Sequence, residues 1–428
     1  MSYFAALRER EFSRLDRQRL AYLDYTGSAL YAESQLRAHH ELLCSGVFGN
    51  PHSESQPSRA STEIIEDARR RTLRHFGVDE STHDLIFTAN TTAAIKLVAE
   101  SYPFSQQNAC VLSADNHNSI NGIREYAARA GAAVRYLPLD EELRLADPLP
   151  LLAEHGNGGL FAFPAQSNFS GVQHPLSLAA EAKQLGFDVL LDIASYAPSN
   201  ALSLRDCPAD FAALSFYKLF GYPTGIGALI ARREALARLR RPWFSGGTPL
   251  FASVAARTHL LRPRHEGFED GTPNFLGIAA LGAGFDLLDD VEMPRLNAHV
   301  RSLTKMFLEG LGEMNHVRIH GPAGIARRGG TVAFNVRGVP YWDVEARAQQ
   351  CGVSLRGGCF CNPGASEAAF GLDGENVERC LGSLGVDFTA ARFAECAGTA
   401  IGAVRASLGL ANNERDVHRA LDIVASFA

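Results

Sequence analysis

No stretch of this 428-residue chain is apolar for long enough to suggest a membrane span. The most apolar long run, Phe275 to Leu288, holds three glycines and stops short of the ~20 residues that a spanning helix needs. Basic charge is not in excess either. Lys and Arg number 41 against 47 Asp and Glu, a formal charge of -6, so the chain lacks the basic face of a nucleic-acid binder. Cysteine is sparse: eight residues, at 44, 110, 207, 351, 359, 361, 380 and 396. That is too few for a secreted disulfide scaffold, and a chain of this length buries a core without such staples. The first twenty residues are charged throughout and lack the apolar centre of a signal peptide, so a reducing, cytoplasmic location is the default expectation. No unit of about 20 to 50 residues repeats, which excludes a solenoid. A hydrophobic fraction of 46% with 21% charged residues excludes a disordered or low-complexity chain.

What recurs is a short apolar run followed by a helical pattern. Asp84 to Thr88, Ala109 to Ser113, Ala132 to Leu137, Gly159 to Phe163, Phe187 to Asp192 and Phe211 to Leu214 read as buried strands, with Gly225 to Arg232 as one more. Helical stretches separate them: Thr92 to Ser101, Ile120 to Ala130 and Ser177 to Leu185. The alternation predicts an α/β fold with a mostly parallel sheet. Past residue 290 the texture changes. A long helix over 295–311, strands near 317–320 and 331–336, a helix from Tyr341, a loop from Gly357 to Gly364 and a terminal helix over 413–427 predict a smaller α+β domain. The expected division is an arm over 1–22, a large domain over 23–290 and a small domain over 291–428.

Ligands of open parallel sheets bind beyond the carboxyl ends of the strands, so the residues after each run carry the interest. Thr91 and Thr92 open a helix directly after the first run, a place for an anion or for a plain helix cap. His117 follows the second run, where it is a catalytic group, a stacking partner or an ordinary loop residue. Asn168 lies in an amide-rich loop after the fourth. Asp192 closes the fifth, where a carboxylate needs a cation or strong hydrogen bonds unless it only caps the next turn. Lys218 stands among Phe216, Tyr217, Leu219, Phe220 and Tyr222. That setting either desolvates the amine into a nucleophile or lets its stem pack while the head reaches water. Taken together, a lysine, an acid, an imidazole and an anion site meet the needs of pyridoxal 5′-phosphate. No metal site is expected. Cys359 and Cys361 would need two further ligands to hold zinc.

Three segments carry a more specific signal: residues 164–171 (PAQSNFSG), 215–227 (SFYKLFGYPTGIG) and 356–365 (RGGCFCNPGA). Through them the chain resembles the class V aminotransferase family of fold-type I pyridoxal-phosphate enzymes. Within it the cysteine desulfurases are nearest, above all the desulfurase-like N-terminal domain of the molybdenum cofactor sulfurases. The resemblance runs from Leu23-Asp24-Tyr25 to residues 404–409. It implies a seven-stranded, mostly parallel sheet with helices on both faces and a homodimer. It makes Lys218 the lysine that carries the cofactor, Asp192 the partner of the ring nitrogen and His117 the residue stacked on the ring. Thr91, Thr92 and Ser215 hold the phosphate, Asn168 lies by the phenolic oxygen, and Thr272 reaches the neighbouring subunit's phosphate. Arg405 clamps the substrate carboxylate, and Cys361 takes up sulfur as a persulfide.

The residues themselves place Cys361 on a loop, with Arg356 near enough in sequence to favour a thiolate; a structural cysteine in a tight turn is the competing reading. Two departures stand out. Tyr217 precedes the lysine where many desulfurases have histidine, and Ser195 stands where many have glutamine. The chain closes at Ala428, so the resemblance supports the desulfurase reaction better than it supports the molybdenum cofactor as acceptor. The expected reaction turns L-cysteine into L-alanine and passes sulfur through Cys361 to an acceptor. The alternative is another enzyme of the family, a carbon–sulfur lyase, a selenocysteine lyase or a tailoring enzyme on a larger amino acid. A non-catalytic sulfur carrier is a third reading, opposed by Lys218 and its partners.

Overall fold

The computed structural model describes residues 2–155 and 158–428. Seven strands form the large sheet: β1 (His83–Thr88), β2 (Ala109–Ser113), β3 (Ala133–Leu137), β4 (Gly159–Pro164), β5 (Phe187–Asp192), β6 (Phe211–Ser215) and β7 (Gly227–Arg232). Their order is β1-β7-β6-β5-β4-β2-β3. Only β7 runs against its neighbours. Every residue of β2, β4 and β6 is buried, as strands covered on both faces require. The edge strand β3 instead exposes Arg135 and Tyr136. Among the described residues no helix is long and apolar enough to cross a membrane.

The second sheet has the order β8-β9-β11-β10, from β8 (Val317–His320), β9 (Thr331–Val336), β10 (Arg356–Gly358) and β11 (Ala403–Ser407), all antiparallel. The N-terminal chain belongs to this region as much as to the first. Ala21 and Tyr22 pair in parallel with Val353 and Ser354, and Asp24 bridges to Ser407. Helix Tyr3–Phe12 precedes them and buries Leu7 and Phe12.

Several expectations need correction. The helix expected over 120–130 is two, Asn118–Asn121 and Ile123–Arg129, divided at Gly122. The loop expected over 357–364 is β10, a tight turn, and the start of helix Pro363–Phe370. The terminal helix is Glu414–Ala425, with Asn413 as its cap. Strand β11, an exposed hairpin of Pro249–Ser253 with Thr258–Leu261, and helices Gly374–Leu384 and Ala390–Ala397 lay outside the sequence reading. A disulfide joins those two helices through Cys380 and Cys396, where no disulfide was expected.

Candidate active site

A cavity of about 360 Å³ opens at the carboxyl ends of the parallel strands. Thr91, Thr92, His117, Asn168, Asp192, Ser215 and Lys218, all candidates from the sequence, line it together. Its floor is built by close approach. A side chain at Gly227 would meet the Asn90 backbone at 2.5 Å, so β7 can start there only with glycine. Gly225, at φ +73°, turns the chain along the cavity wall.

One end of the cavity is a hydroxyl cluster at the start of helix Thr91–Ser101. Ser215 Oγ accepts from the Thr91 amide at 2.8 Å and lies 2.6 Å from Thr91 Oγ1. Thr92 Oγ1 lies 2.7 Å from Ser119 Oγ. Asn90 caps the helix by accepting from the Ala93 amide at 2.9 Å. Asn90 is therefore the cap, and the threonines stand beside it at the positive end of the helix, where an anion is favoured.

At the other end stand the groups that titrate. Lys218 sits on the short helix Phe216–Phe220 after β6, partly exposed, and lines the cavity. Burial pushes its amine below the usual lysine range; Asp192 opposes the shift, and Arg405 and Arg356 add to it. Among the described residues no side chain forms an ion pair or hydrogen bond with its Nζ. Asp192 ends β5 and accepts from the Ala194 amide through Oδ1 at 2.9 Å. His117 accepts from the Ser119 amide through Nδ1 at 3.1 Å, so a neutral ring carries its proton on Nε2. Burial lowers its pKa, Asp192 opposes this, and Lys218 and Arg405 reinforce it. Gln166 also faces the cavity, and its Nε2 donates to the Ser195 carbonyl at 2.9 Å. An amide thus stands beside Ser195 after all, supplied by the loop after β4.

Arg405 is 2% exposed on β11 and donates to the Asn168 carbonyl at 2.9 Å and to Asp24 Oδ1 at 2.8 Å. Its Nε is buried without a hydrogen-bond partner among the described residues. Arg356 lies directly opposite Arg405 across the β10–β11 pair, where like charges repel. Asp24 resolves the conflict: its Oδ2 accepts from Arg356 Nη2 at 2.6 Å and Nε at 2.9 Å. Arg356 is therefore engaged by Asp24. Removing Asp24 leaves a buried guanidinium without its counter-charge, which costs about 3 kcal/mol or more. Asp24→Ala should lower the urea midpoint accordingly; an unchanged midpoint would show the pair to be dispensable.

Cys361 occupies the corner of a turn closed by the Asn362 amide on the Cys359 carbonyl at 2.9 Å. Phe360 and Cys361 both have left-handed φ, +57° and +58°. Each such residue costs roughly 1–2 kcal/mol. Three anchors offset that strain. Asn168 Nδ2 donates to the Phe360 carbonyl at 2.7 Å, the Asn118 amide donates to the Cys361 carbonyl at 2.7 Å, and Asn362 Nδ2 donates to Asp115 Oδ1 at 2.7 Å. At about 0.5–1.5 kcal/mol net each, they match the cost. Cys359 and Cys361 are both exposed. Thr272 lies outside the cavity, on an exposed loop whose Gly271 amide donates to the Gly246 carbonyl at 2.8 Å. Among the described residues no group of three or more His, Cys, Asp or Glu is placed to hold a metal.

A lone lysine amine, a carboxylate facing it across the cavity, an imidazole and a hydroxyl-lined helix start make a site that fits pyridoxal 5′-phosphate. The fold and this site define a fold-type I enzyme dependent on that cofactor. The comparisons agree. The Aminotransferase class-V family matches residues 21–420, and the chain belongs to that family. It is 34% identical to the molybdenum cofactor sulfurase of Arabidopsis thaliana over 476 aligned positions, covering 99% of this chain and 58% of that protein. It is 34% identical to the human molybdenum cofactor sulfurase, over 87% of this chain and 46% of that one. The chain thus spans about half the length of these curated relatives. Among solved structures, a cysteine desulfurase from Thermococcus onnurineus aligns at TM-score 0.84 and 25% identity, covering 100% of this chain and 98% of that one. A cysteine desulfurase from Escherichia coli shares the fold at TM-score 0.79 and 23% identity, with the same coverage.

Proposed function

We propose that the protein is a cysteine desulfurase. L-cysteine and a Cys361 thiol become L-alanine and a Cys361 persulfide, and the persulfide sulfur passes to an acceptor. The balance is internal: the substrate Cβ–S bond breaks, an S–S bond forms, sulfur is oxidised and carbon reduced. The observation that carries the reading is the tethering of the Cys361 turn, through Asn168 and the residue after His117, to the wall of the Lys218 cavity. The bound cofactor would supply an electron sink that weakens the bonds at Cα and Cβ. Lys218, its amine desolvated, would hold the cofactor covalently and would move the substrate's Cα proton. Asp192 would accept from the ring nitrogen and keep it protonated. Arg405 would take the substrate carboxylate. His117, whose neutral ring carries its proton on Nε2, would stack on the cofactor ring and could exchange that proton. Thr91, Thr92 and Ser215 take the phosphate. The deciding experiment is incubation with L-cysteine and measurement of alanine and sulfide together; a protein that releases sulfide with pyruvate instead of alanine is a lyase.

Asp192→Asn should keep the cofactor but lose at least ~30-fold in turnover, roughly 2 kcal/mol, because an amide cannot hold the ring nitrogen protonated. Turnover within about twofold of wild type would reduce Asp192 to a cap on the Ala194 amide.

The reading extends to a homodimer in which Thr272 completes the phosphate site of the other subunit. Beside that loop the hairpin leaves Leu250, Phe251, Val254 and Leu260 exposed, with Trp243 and Phe244 next to them. Such a patch calls for cover, and a second copy meets it. Wild type should sediment as a dimer, and Phe251→Glu should shift it towards monomer and weaken cofactor retention. A fully active wild-type monomer would overturn the arrangement.

A further inference from the structure

Below the Cys361 turn lies a polar cluster that the chemistry above does not use. Asp115 is 1% exposed and accepts from three side chains on three segments: Ser167 Oγ at 2.7 Å, Asn362 Nδ2 at 2.7 Å and His174, whose Nε2 lies 2.8 Å from Oδ2. Asn362 and Ser167 have no exposed surface, and His174 is 3% exposed. Asn362 also donates to Asn168 Oδ1 at 3.0 Å. The segment carrying Asp115 runs on through His117, and its Asn118 amide binds the Cys361 carbonyl. The backbones touch as well: a side chain at Gly364 would meet the Ala114 carbonyl at 2.2 Å.

Resting on the desulfurase reading, the geometry points to Asp115 as a positioning residue. Through Asn362 it holds the Cys361 turn in register with the His117 loop, and so sets the thiol for sulfur uptake. His174 and Ser167 hold the Asp115 carboxylate in place. The cluster contributes no group to the cavity lining apart from Asn168, so its effect falls more on the step that needs Cys361 than on proton removal by Lys218.

The test uses Asp115→Asn, which turns one acceptor into a donor, and Asn362→Ser, which keeps a good helix cap but loses the amide donor. Amide hydrogen exchange in peptides spanning 114–121 and 358–366 should quicken by at least ~10-fold in both variants, with β5 and β7 unchanged. Alanine release from L-cysteine should slow by at least ~30-fold, while deuterium uptake at Cα of recovered L-cysteine in heavy water stays within about 3-fold. Unchanged exchange, or unchanged alanine release, overturns the assignment. So does an equal fall of alanine release and Cα exchange in Asn362→Ser, the variant least able to disturb folding. A wild type that makes no alanine removes the desulfurase reading and the sulfur-step role with it. The hydrogen-exchange result then still decides whether Asp115 holds the turn.

Discussion

Lys218→Ala is expected to give a folded protein that is colourless after dialysis against cofactor-free buffer and makes no measurable alanine. The lysine amine is the group in the cavity that can bond the cofactor's aldehyde, and burial has already lowered its affinity for a proton. Alanine removes both its tasks, attachment and proton transfer, so a loss of at least ~10⁴-fold, about 5.5 kcal/mol of transition-state stabilisation, is expected. The hydroxyl cluster at Thr91 and Ser215 is untouched, so weak binding of the cofactor through its phosphate should survive. Absorbance after dialysis and a cofactor titration followed by fluorescence separate the two. A coloured, active Lys218→Ala protein would place the reacting amine elsewhere.

Cys361→Ser should bind L-cysteine and still exchange its Cα proton, yet release alanine at least ~100-fold more slowly, roughly 2.7 kcal/mol. Lys218, Asp192 and Arg405 remain, and serine fits the turn. What is lost is a thiol, which ionises far more readily than an alcohol and attacks sulfur as a thiolate. Cys359→Ser should cost much less. Cys359 lends the turn its carbonyl, which any residue supplies, whereas Cys361 sits at the strained corner anchored to Asn118. If both variants release alanine like wild type, the persulfide route is wrong.

The large sheet was legible because its strands are buried on both faces and read as short apolar runs between helices. The site residues on it were legible for a related reason: each follows a strand, where the fold places ligands. The small sheet was harder. The run AVRAS is interrupted by Arg405, so β11 lacks the signature of a strand, and the pairs at Ala21 and Tyr22 are too short to have one. The anchors were harder still. Asp24 means nothing until Arg356 and Arg405 are seen facing each other across β10 and β11. Asp115 reads as one loop residue among several until Asn362, 247 positions away, is placed on it. Roles like these reside in partners, and local pattern does not carry them.

The pairing of Asp24 with Arg405 also has a meaning in time. The two residues stand 381 positions apart. At roughly 5–20 residues per second, a ribosome needs on the order of 20–80 s to pass from one to the other. Lys218, Asp192 and the hydroxyl cluster are all made within that interval. The residues that line the Lys218 cavity are thus all synthesised before the guanidinium that Asp24 comes to hold.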